Sequence, residues 1–221
     1  INQFAASLQT LGIQPQDNIA LFSDNQPRWL VADQGIMTAG AVDAVRGSQA
    51  DKDELAYILE NSDSVAMIVQ DQATLTKLAD GLGDKNLRFI VLLSDETPQL
   101  ETTAKLLNFT QLMELGAEVE VKPVEPSRDQ LATLMYTSGT SGRPKGVMLS
   151  QANLLSQIAG ACSVVYPAPG SKVMRILPIW HCYERTFEYF TLSQGAHQIY
   201  TNIRYVKKDL KAYKPNYMVG V

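Results

Sequence analysis

The shortages in this 221-residue sequence are its first guide. It holds two cysteines, Cys162 and Cys182, too few for a disulfide framework, so a reducing compartment is the simpler setting. Histidine is equally scarce, with His181 and His197 alone. No run reaches the roughly eighteen apolar residues of a membrane-crossing helix. Positive charge is not in excess: Lys and Arg number 19 against 23 Asp and Glu, a net charge of -4. That balance argues against a nucleic-acid partner, which calls for a basic surface. Repeats and low-complexity tracts are absent as well. What remains, with 45% apolar and 19% charged residues, is the composition of an ordinary globular chain.

The chain opens on Ile1-Asn2-Gln3-Phe4, which reads as the middle of an amphipathic helix, and stops on apolar residues around Met218 and Val219. Both ends read as cuts, so a piece of a longer protein is expected. Phe4, Leu8 and Leu11 share a helical face, and Gly12 closes it. Short apolar strands are expected at 18–22, 64–70 and 88–93, with helices over 27–38, from a cap at Asp51 onward, and around 75–82. Glu54 stands where the capping-box partner of Asp51 belongs. Strands and helices alternating at this spacing read as βαβ units. Residues 94–130 hold Pro98, Pro123 and Pro126 and read as a surface connection with one short helix near 110–115. A strand at 131–136 follows, then a helix capped by Ser150 running to about 166, a strand at 173–177, a helix over 181–194, a strand at 197–200 and a last helix over 206–213. The expected class is α/β, with mostly parallel sheets and flanking helices. Its regions are 1–93, the connection 94–130, and 131–221.

Residues 136–150 read Y-T-S-G-T-S-G-R-P-K-G-V-M-L-S. Gly139, Gly142 and Gly146 let backbone N–H groups converge on an anion. Thr137, Ser138, Thr140 and Ser141 add hydroxyls that can donate to phosphate or ligate a metal carrying it, and Lys145 adds a mobile point charge. Five residues after Gly139 stands Pro144, so this is not a Walker A loop, and the Gly-x-Gly-x-x-Gly dinucleotide pattern is missing too. A flexible hairpin with an exposed lysine is the plain alternative.

The full string from Tyr136 through Val147 resembles the signature phosphate loop of the adenylate-forming enzymes, which include acyl-CoA and acyl–acyl-carrier-protein synthetases, luciferases and peptide synthetases. The resemblance implies the N-terminal large domain of an ATP-dependent ligase that uses Mg²⁺. Such an enzyme forms an acyl adenylate and pyrophosphate, then passes the acyl group to a thiol. Carried over, Thr137, Ser138, Gly139, Thr140, Ser141, Gly142 and Lys145 hold the ATP phosphates, Lys145 serves catalysis, and Thr137 helps hold the metal. One departure follows the loop: the family pattern Ser/Thr-His-x-Asn reads Ser150-Gln151-Ala152-Asn153 here, which removes an ionisable group.

A second stretch, residues 177–185, reads L-P-I-W-H-C-Y-E-R and follows a predicted strand, where α/β enzymes place their sites. His181 beside Cys182 is a poor metal pair, because adjacent residues rarely converge on one ion. A helix-capping or packed histidine is the plain reading of His181. The segment resembles the Leu-Pro-x-x-His-x-x-Glu-Arg of long-chain fatty acyl synthetases, which makes His181 a catalytic and substrate-positioning residue and Trp180 a wall of the acyl tunnel. Glu184 and Arg185 are expected to pair with each other at the helix start. Residues 25–29 resemble the family's early Asn-x-x-x-Trp helix start. The Asp43-x-x-Arg46-Gly47 segment resembles cyanobacterial and plastid acyl-carrier-protein synthetases in particular.

The resemblance covers the whole chain but only the first part of the family's large domain. The adenine- and ribose-binding segments and the lysine-bearing C-terminal domain are not in this sequence, so by itself it is expected to adenylate nothing. The implied substrate is a long-chain fatty acid, and the implied acceptor is acyl carrier protein or coenzyme A. An aryl- or amino-acid-adenylating domain and a non-catalytic nucleotide-binding module are the alternatives. Arg204, Lys207, Lys208, Lys211 and Lys214 line one face of the last predicted helix, suited to acidic carrier helices or anionic lipid, though a solvated face is the plainer reading. The expected location is cytoplasmic, with that helix as the point of any peripheral membrane contact.

Overall fold

The computed structural model describes residues 1–82, 85–125, 127–137 and 142–220. The first strand, β1 (Asn18–Phe22), explains the layering. Its residues Ile19, Ala20, Leu21 and Phe22 are all fully buried, so both of its faces must be covered. Ile19 and Leu21 pack with α1 (Asn2–Thr10), α2 (Pro27–Thr38) and α5 (Phe109–Leu115), including Phe4, Leu8, Trp29 and Leu112. Ala20 and Phe22 face α3 (Lys52–Asn61) and α4 (Gln72–Leu82), through Leu55, Ile58, Leu75 and Leu78. Each large side chain buried this way contributes about 1.5–3 kcal/mol relative to exposure.

Around β1 stand β2 (Val42–Arg46), β3 (Ala66–Val69), β4 (Phe89–Leu92), β5 (Lys105–Asn108), β6 (Leu131–Thr137) and β7 (Lys145–Ser150). The seven-stranded sheet runs β5-β4-β3-β1-β2-β6-β7. Every pair is parallel except β6 with β7, which is antiparallel. The chain after β1 crosses to β2 on one side, and the chain after β3 crosses to β4 on the other. A crevice therefore opens at the carboxyl ends of β1 and β3.

A three-stranded parallel sheet follows, ordered β10-β8-β9 from β8 (Lys172–Arg175), β9 (His197–Tyr200) and β10 (Tyr217–Met218). With it come α6 (Gln151–Ala161), α7 (Cys182–Ser193) and α8 (Val206–Tyr213). The α/β class with mostly parallel sheets and flanking helices is as the sequence leads one to expect.

Three local expectations need correction. The connection 94–130 contains β5, which adds an edge strand beside β4, and α5 carries a capping box between Asn108 and Gln111. Asp51 does precede α3, but its side chain makes no cap hydrogen bond, and Glu54 instead meets Arg46 at 2.8 Å. The helix after Ser150 ends at Ala161, short of 166, although Ser150 and Asn153 do form its capping box.

Gly116 ends α5 against α1, where a Cβ would run into the Gln3 carbonyl oxygen and the Ser7 hydroxyl. Ser7 Oγ also donates to Leu112 O at 2.5 Å, which holds the two helices at that separation. Gly116→Ala is expected to lower the unfolding free energy by about 1–3 kcal/mol through overpacking. Urea denaturation measures this, and an unshifted midpoint would show that the α1–α5 approach can relax freely.

Candidate functional site

Thr137 ends β6 and Lys145 begins β7, and the two are direct cross-strand partners. The antiparallel ladder therefore sets a hydroxyl and an ammonium opposite each other at the mouth of the loop, both exposed. Ser138, Gly139, Thr140 and Ser141 lie outside the described residues. Gly142 has φ +118, a left-handed backbone that favours glycine. Gly146 lies across from Tyr136, where a Cβ would meet the phenol ring at 3.1 Å. That ring is anchored in turn, because Tyr136 OH donates to Asn61 Oδ1 at 2.8 Å. Arg46 reaches from the end of β2, and its Nη1 donates to Tyr136 O at 3.3 Å. Arg143 stacks on Tyr57, 5.3 Å from the ring centre.

Gln151, the departure from the family pattern, is remote from this mouth. It stands at the opposite end of β7, six residues or about 20 Å along an extended strand from Lys145. It borders a separate cleft of about 300 Å³ with Gly40, Val124 and Leu131.

The segment 177–189 is fastened to the seven-stranded sheet at three points. Asn25 Nδ2 donates to Leu177 O at 2.6 Å, and Ile179 N donates to Asn25 Oδ1 at 2.9 Å. Trp180 lies over Gly47 so closely that a Cβ there would meet the indole at 2.5 Å. Arg185 is the third fastener. Fully buried, it donates from Nε to Tyr189 OH at 2.7 Å, from Nη1 to Thr133 Oγ1 at 2.7 Å, and from Nη2 to Asp43 at 2.6 Å and to Asp33. Tyr189 OH donates onward to Asp33 Oδ2 at 2.6 Å. Burial opposes the Arg185 charge, but Asp33 and Asp43 outweigh it and hold its pKa above the ordinary value. Burial pushes the Asp43 carboxyl up to about 7, with Arg185 opposing and Asp33 adding to the rise.

Glu184 and Arg185 do not pair with each other, contrary to expectation. Consecutive helical residues point about 100° apart, and each finds its partner elsewhere. Glu184 Oε1 accepts from Arg175 Nη1 at 3.3 Å. Arg175 also donates to Gln198 Oε1 at 2.7 Å and to Thr191. Glu188 accepts from Tyr200 OH, and burial pushes its carboxyl up to about 7.

His181 is the N-cap of α7, exposed, with Nδ1 accepting from Tyr183 N at 3.5 Å. Next to it, Tyr183 and Phe187 wall an apolar cleft of about 700 Å³ between α6 and α7, together with Leu154 and Val164. Trp180 borders a different and larger cleft, of about 1010 Å³, at the β1/β3 crevice, with Asn25, Gln70, Leu177 and Arg204. No hydrogen bond joins Lys145 to His181 among the described residues. Nor do the described residues include a group of three or more His, Cys, Asp or Glu placed to hold a metal.

Residues 1–221 match the model of the AMP-binding enzyme family over their whole length. The chain belongs to that family. It is 42% identical over 236 residues to a chloroplastic long-chain-fatty-acid–acyl-carrier-protein ligase of Arabidopsis thaliana, a match covering 100% of this chain and 32% of that protein. A long-chain-fatty-acid–CoA ligase of Mycobacterium tuberculosis is 27% identical over 231 residues, covering 100% of this chain and 37% of the other. This AMP-binding chain thus spans about a third of the length of both relatives. In fold it is similar to the N-terminal domain of FACL13 from Mycobacterium tuberculosis, with a TM-score of 0.76 at 21% identity, covering 98% of this chain and 52% of that one. It is similar also to the adenylation domain of a Mycobacterium chelonae carboxylate reductase, with a TM-score of 0.85 at 18% identity, covering 98% and 37%.

Two outcomes follow from the buried groups of this AMP-binding chain. Arg185→Met strands Asp33 and Asp43, and removing one partner from a buried ion set costs about 3–5 kcal/mol. Urea unfolding at pH 7.5 should show that loss, and pH 5.5 a smaller one, since Asp43, whose carboxyl burial pushes up to about 7, can then protonate. Burial raises the Glu188 carboxyl from an ordinary 4.5 to about 7 in the fold. Its protonated form favours the fold, so that stabilisation is complete below 4.5 and is lost as pH rises to about 7. Glu188→Gln is expected to flatten the fall in unfolding free energy across this window, and an unchanged slope would refute the assignment.

Proposed function

We propose that the protein containing this chain is an ATP-dependent ligase that activates a long-chain fatty acid and passes it to a thiol, with acyl carrier protein the favoured acceptor over coenzyme A. The observation that carries the reading is the Thr137–Lys145 pair facing across the β6–β7 ladder at the mouth of the glycine- and hydroxyl-rich loop. In the first step a carboxylate oxygen bonds to the α-phosphorus of ATP, the bond to the bridging oxygen breaks, and pyrophosphate leaves with the negative charge. Lys145 and the loop hydroxyls are suited to that leaving group, where they stabilise charge as it develops more than in the bound reactants. Two observations support a close-turning cradle: Gly142 has a left-handed backbone that favours glycine, and the place of a Cβ on Gly146 is taken by Tyr136. Mg²⁺, when bound, would neutralise part of the phosphate charge, and Thr137 is the side chain that would help hold it.

The apolar cleft between α6 and α7 supports a long acyl chain, since each buried methylene contributes about 0.8 kcal/mol. His181 caps the helix whose next turn walls that cleft, which supports a role near the carboxylate end. The preference for a carrier rests on the 42% relative, set against 27% for the CoA ligase.

ATP–pyrophosphate exchange by the full-length protein tests this, with palmitate, acetate and benzoate as acids. Palmitate should drive exchange best, and Lys145→Ala should slow it by about 100-fold, as for the loss of one transition-state donor. Preference for benzoate or acetate, or an unaffected Lys145→Ala variant, would overturn the reading.

A further inference from the structure

The helix α8 carries its charge on one side. At 100° per residue, Lys207, Lys208 and Lys211 fall within an arc of about 100°, with Arg204 just before the helix and Lys214 closing it. All of these are exposed. The one acid of the helix, Asp209, lies about 150° from the middle of that arc, and its carboxylate accepts from Thr201 Oγ1 at 2.6 Å. It therefore does not neutralise the stripe. Five of the 19 cations of a chain with net charge -4 are thus gathered in eleven residues, a row about 15 Å long.

The orientation of the stripe is fixed at both ends. Asn202 Oδ1 accepts from the backbone N–H of Arg204 and Tyr205 at 3.0 and 3.2 Å, and Lys172 Nζ donates to Tyr213 O at 3.2 Å. The row starts on the rim of the 1010 Å³ cleft, because Asn202, Ile203 and Arg204 belong to its wall. The other polar side chains of that wall are neutral or acidic, among them Asn25, Gln49, Gln70 and Asp71, so Arg204 is the one cation of the lining among the described residues. An apolar side chain, Ile203, 85% exposed, flanks the start of the row. A cationic row with an apolar anchor at one end is the pattern of a protein-docking surface, where charge steers and orients and a few apolar contacts hold.

We propose that this stripe docks an acidic acyl carrier protein and orients its thiol-bearing arm toward the cleft at the Arg204 end. The proposal rests on the thioester-forming reading above. A carrier fits better than an anionic bilayer because a flat membrane pressed on this row would close the cleft that the row borders. Charge complementarity and the 42% identity to a carrier-protein ligase point the same way.

The test uses the full-length protein with Lys207→Glu, Lys208→Glu and Lys211→Glu combined, beside the matching triple Lys→Arg variant. Binding of holo acyl carrier protein is followed by fluorescence anisotropy, its KM in acyl transfer is measured, and palmitate-dependent exchange is run alongside. The reversal should raise both Kd and KM for the carrier by about tenfold or more, while the arginine variant keeps wild-type values. Wild-type affinity should weaken with added salt, and exchange, which needs no carrier, should stay within about twofold in all three proteins. Unchanged carrier affinity on reversal would overturn the proposal. So would unchanged carrier affinity together with lost binding to phosphatidylserine vesicles, which would assign the stripe to lipid. Carrier binding that is lost on reversal in a protein showing no exchange would keep the docking surface and overturn the ligase reading instead.

Discussion

The guanidinium of Arg185 determines how the parts of this chain meet. Its donors are spent on four elements at once: Thr133 of β6, Asp43 of β2, Asp33 of α2, and Tyr189 of its own helix. Taking such a charge out of water costs several kcal/mol, which is offset only when the geometry satisfies nearly every donor. An apolar side chain of similar volume could match the stability and still slide. The ionic set has only one good arrangement, because a shift of an ångström leaves a buried donor or carboxylate unmet. Two carboxylates face this one cation, and Asp43 Oδ1 has no partner among the described residues, in keeping with the rise of its pKa toward 7. A proton on Asp43 below that pH leaves one carboxylate facing one cation, which lowers the cost of burying the cluster.

What fixes one face of α7 fixes the other. Glu184, Glu188 and Thr191 lie three or four apart and, with Arg185 beside them, form a wholly buried polar face. Tyr183 and Phe187, displaced around the same helix, wall the apolar cleft against α6. Asn25 and the Gly47–Trp180 contact set the path of the chain into the helix, so the His181 cap and the cleft wall inherit their position from the sheet. Gly47 shows why a small residue is needed after β2: the rigid indole occupies the space of its Cβ.

Much of the fold could be read from the residues, because the buried strands β1 to β4 are apolar runs and the helices between them repeat at helical spacing. The glycine- and hydroxyl-rich loop and the segment after β8 stand out because short strings of particular residues mark them. Pairing was not. Asp33 and Asp43 lie 152 and 142 residues before Arg185, and no local pattern tells a buried aspartate from a surface one. Strand β5 gives little signal because it is four residues at the sheet edge with only Leu107 buried, after a run of mostly exposed residues. Glu54 looked like a cap because spacing favours that role, but Arg46 offers a full opposite charge at 2.8 Å, the stronger of two available partners. The basic row on α8 was visible from its spacing, whereas its place on a cleft rim depends on the β10-β8-β9 sheet, which spacing does not reveal.

The geometry of the loop follows from the one antiparallel pair in an otherwise parallel sheet. A chain leaving the carboxyl end of β6 toward another parallel strand would need a crossover of a dozen or more residues, carrying it away from that edge. By returning at once as β7 it stays at the edge where β1, β2, β3 and β4 also end, the side on which the crevice opens. The glycines allow the backbone to turn there, but they do not decide what meets across the turn. Strand register does. Thr137 opposes Lys145 because Tyr136 opposes Gly146 and Met135 opposes Val147, a ladder continuous up to the loop. Since side chains alternate faces, a slip of one residue in that ladder would send Lys145 to the other side of the sheet. The Tyr136 ring, wedged over Gly146 and tethered to Asn61, resists that slip, so the residue next to the loop holds the register that the loop depends on.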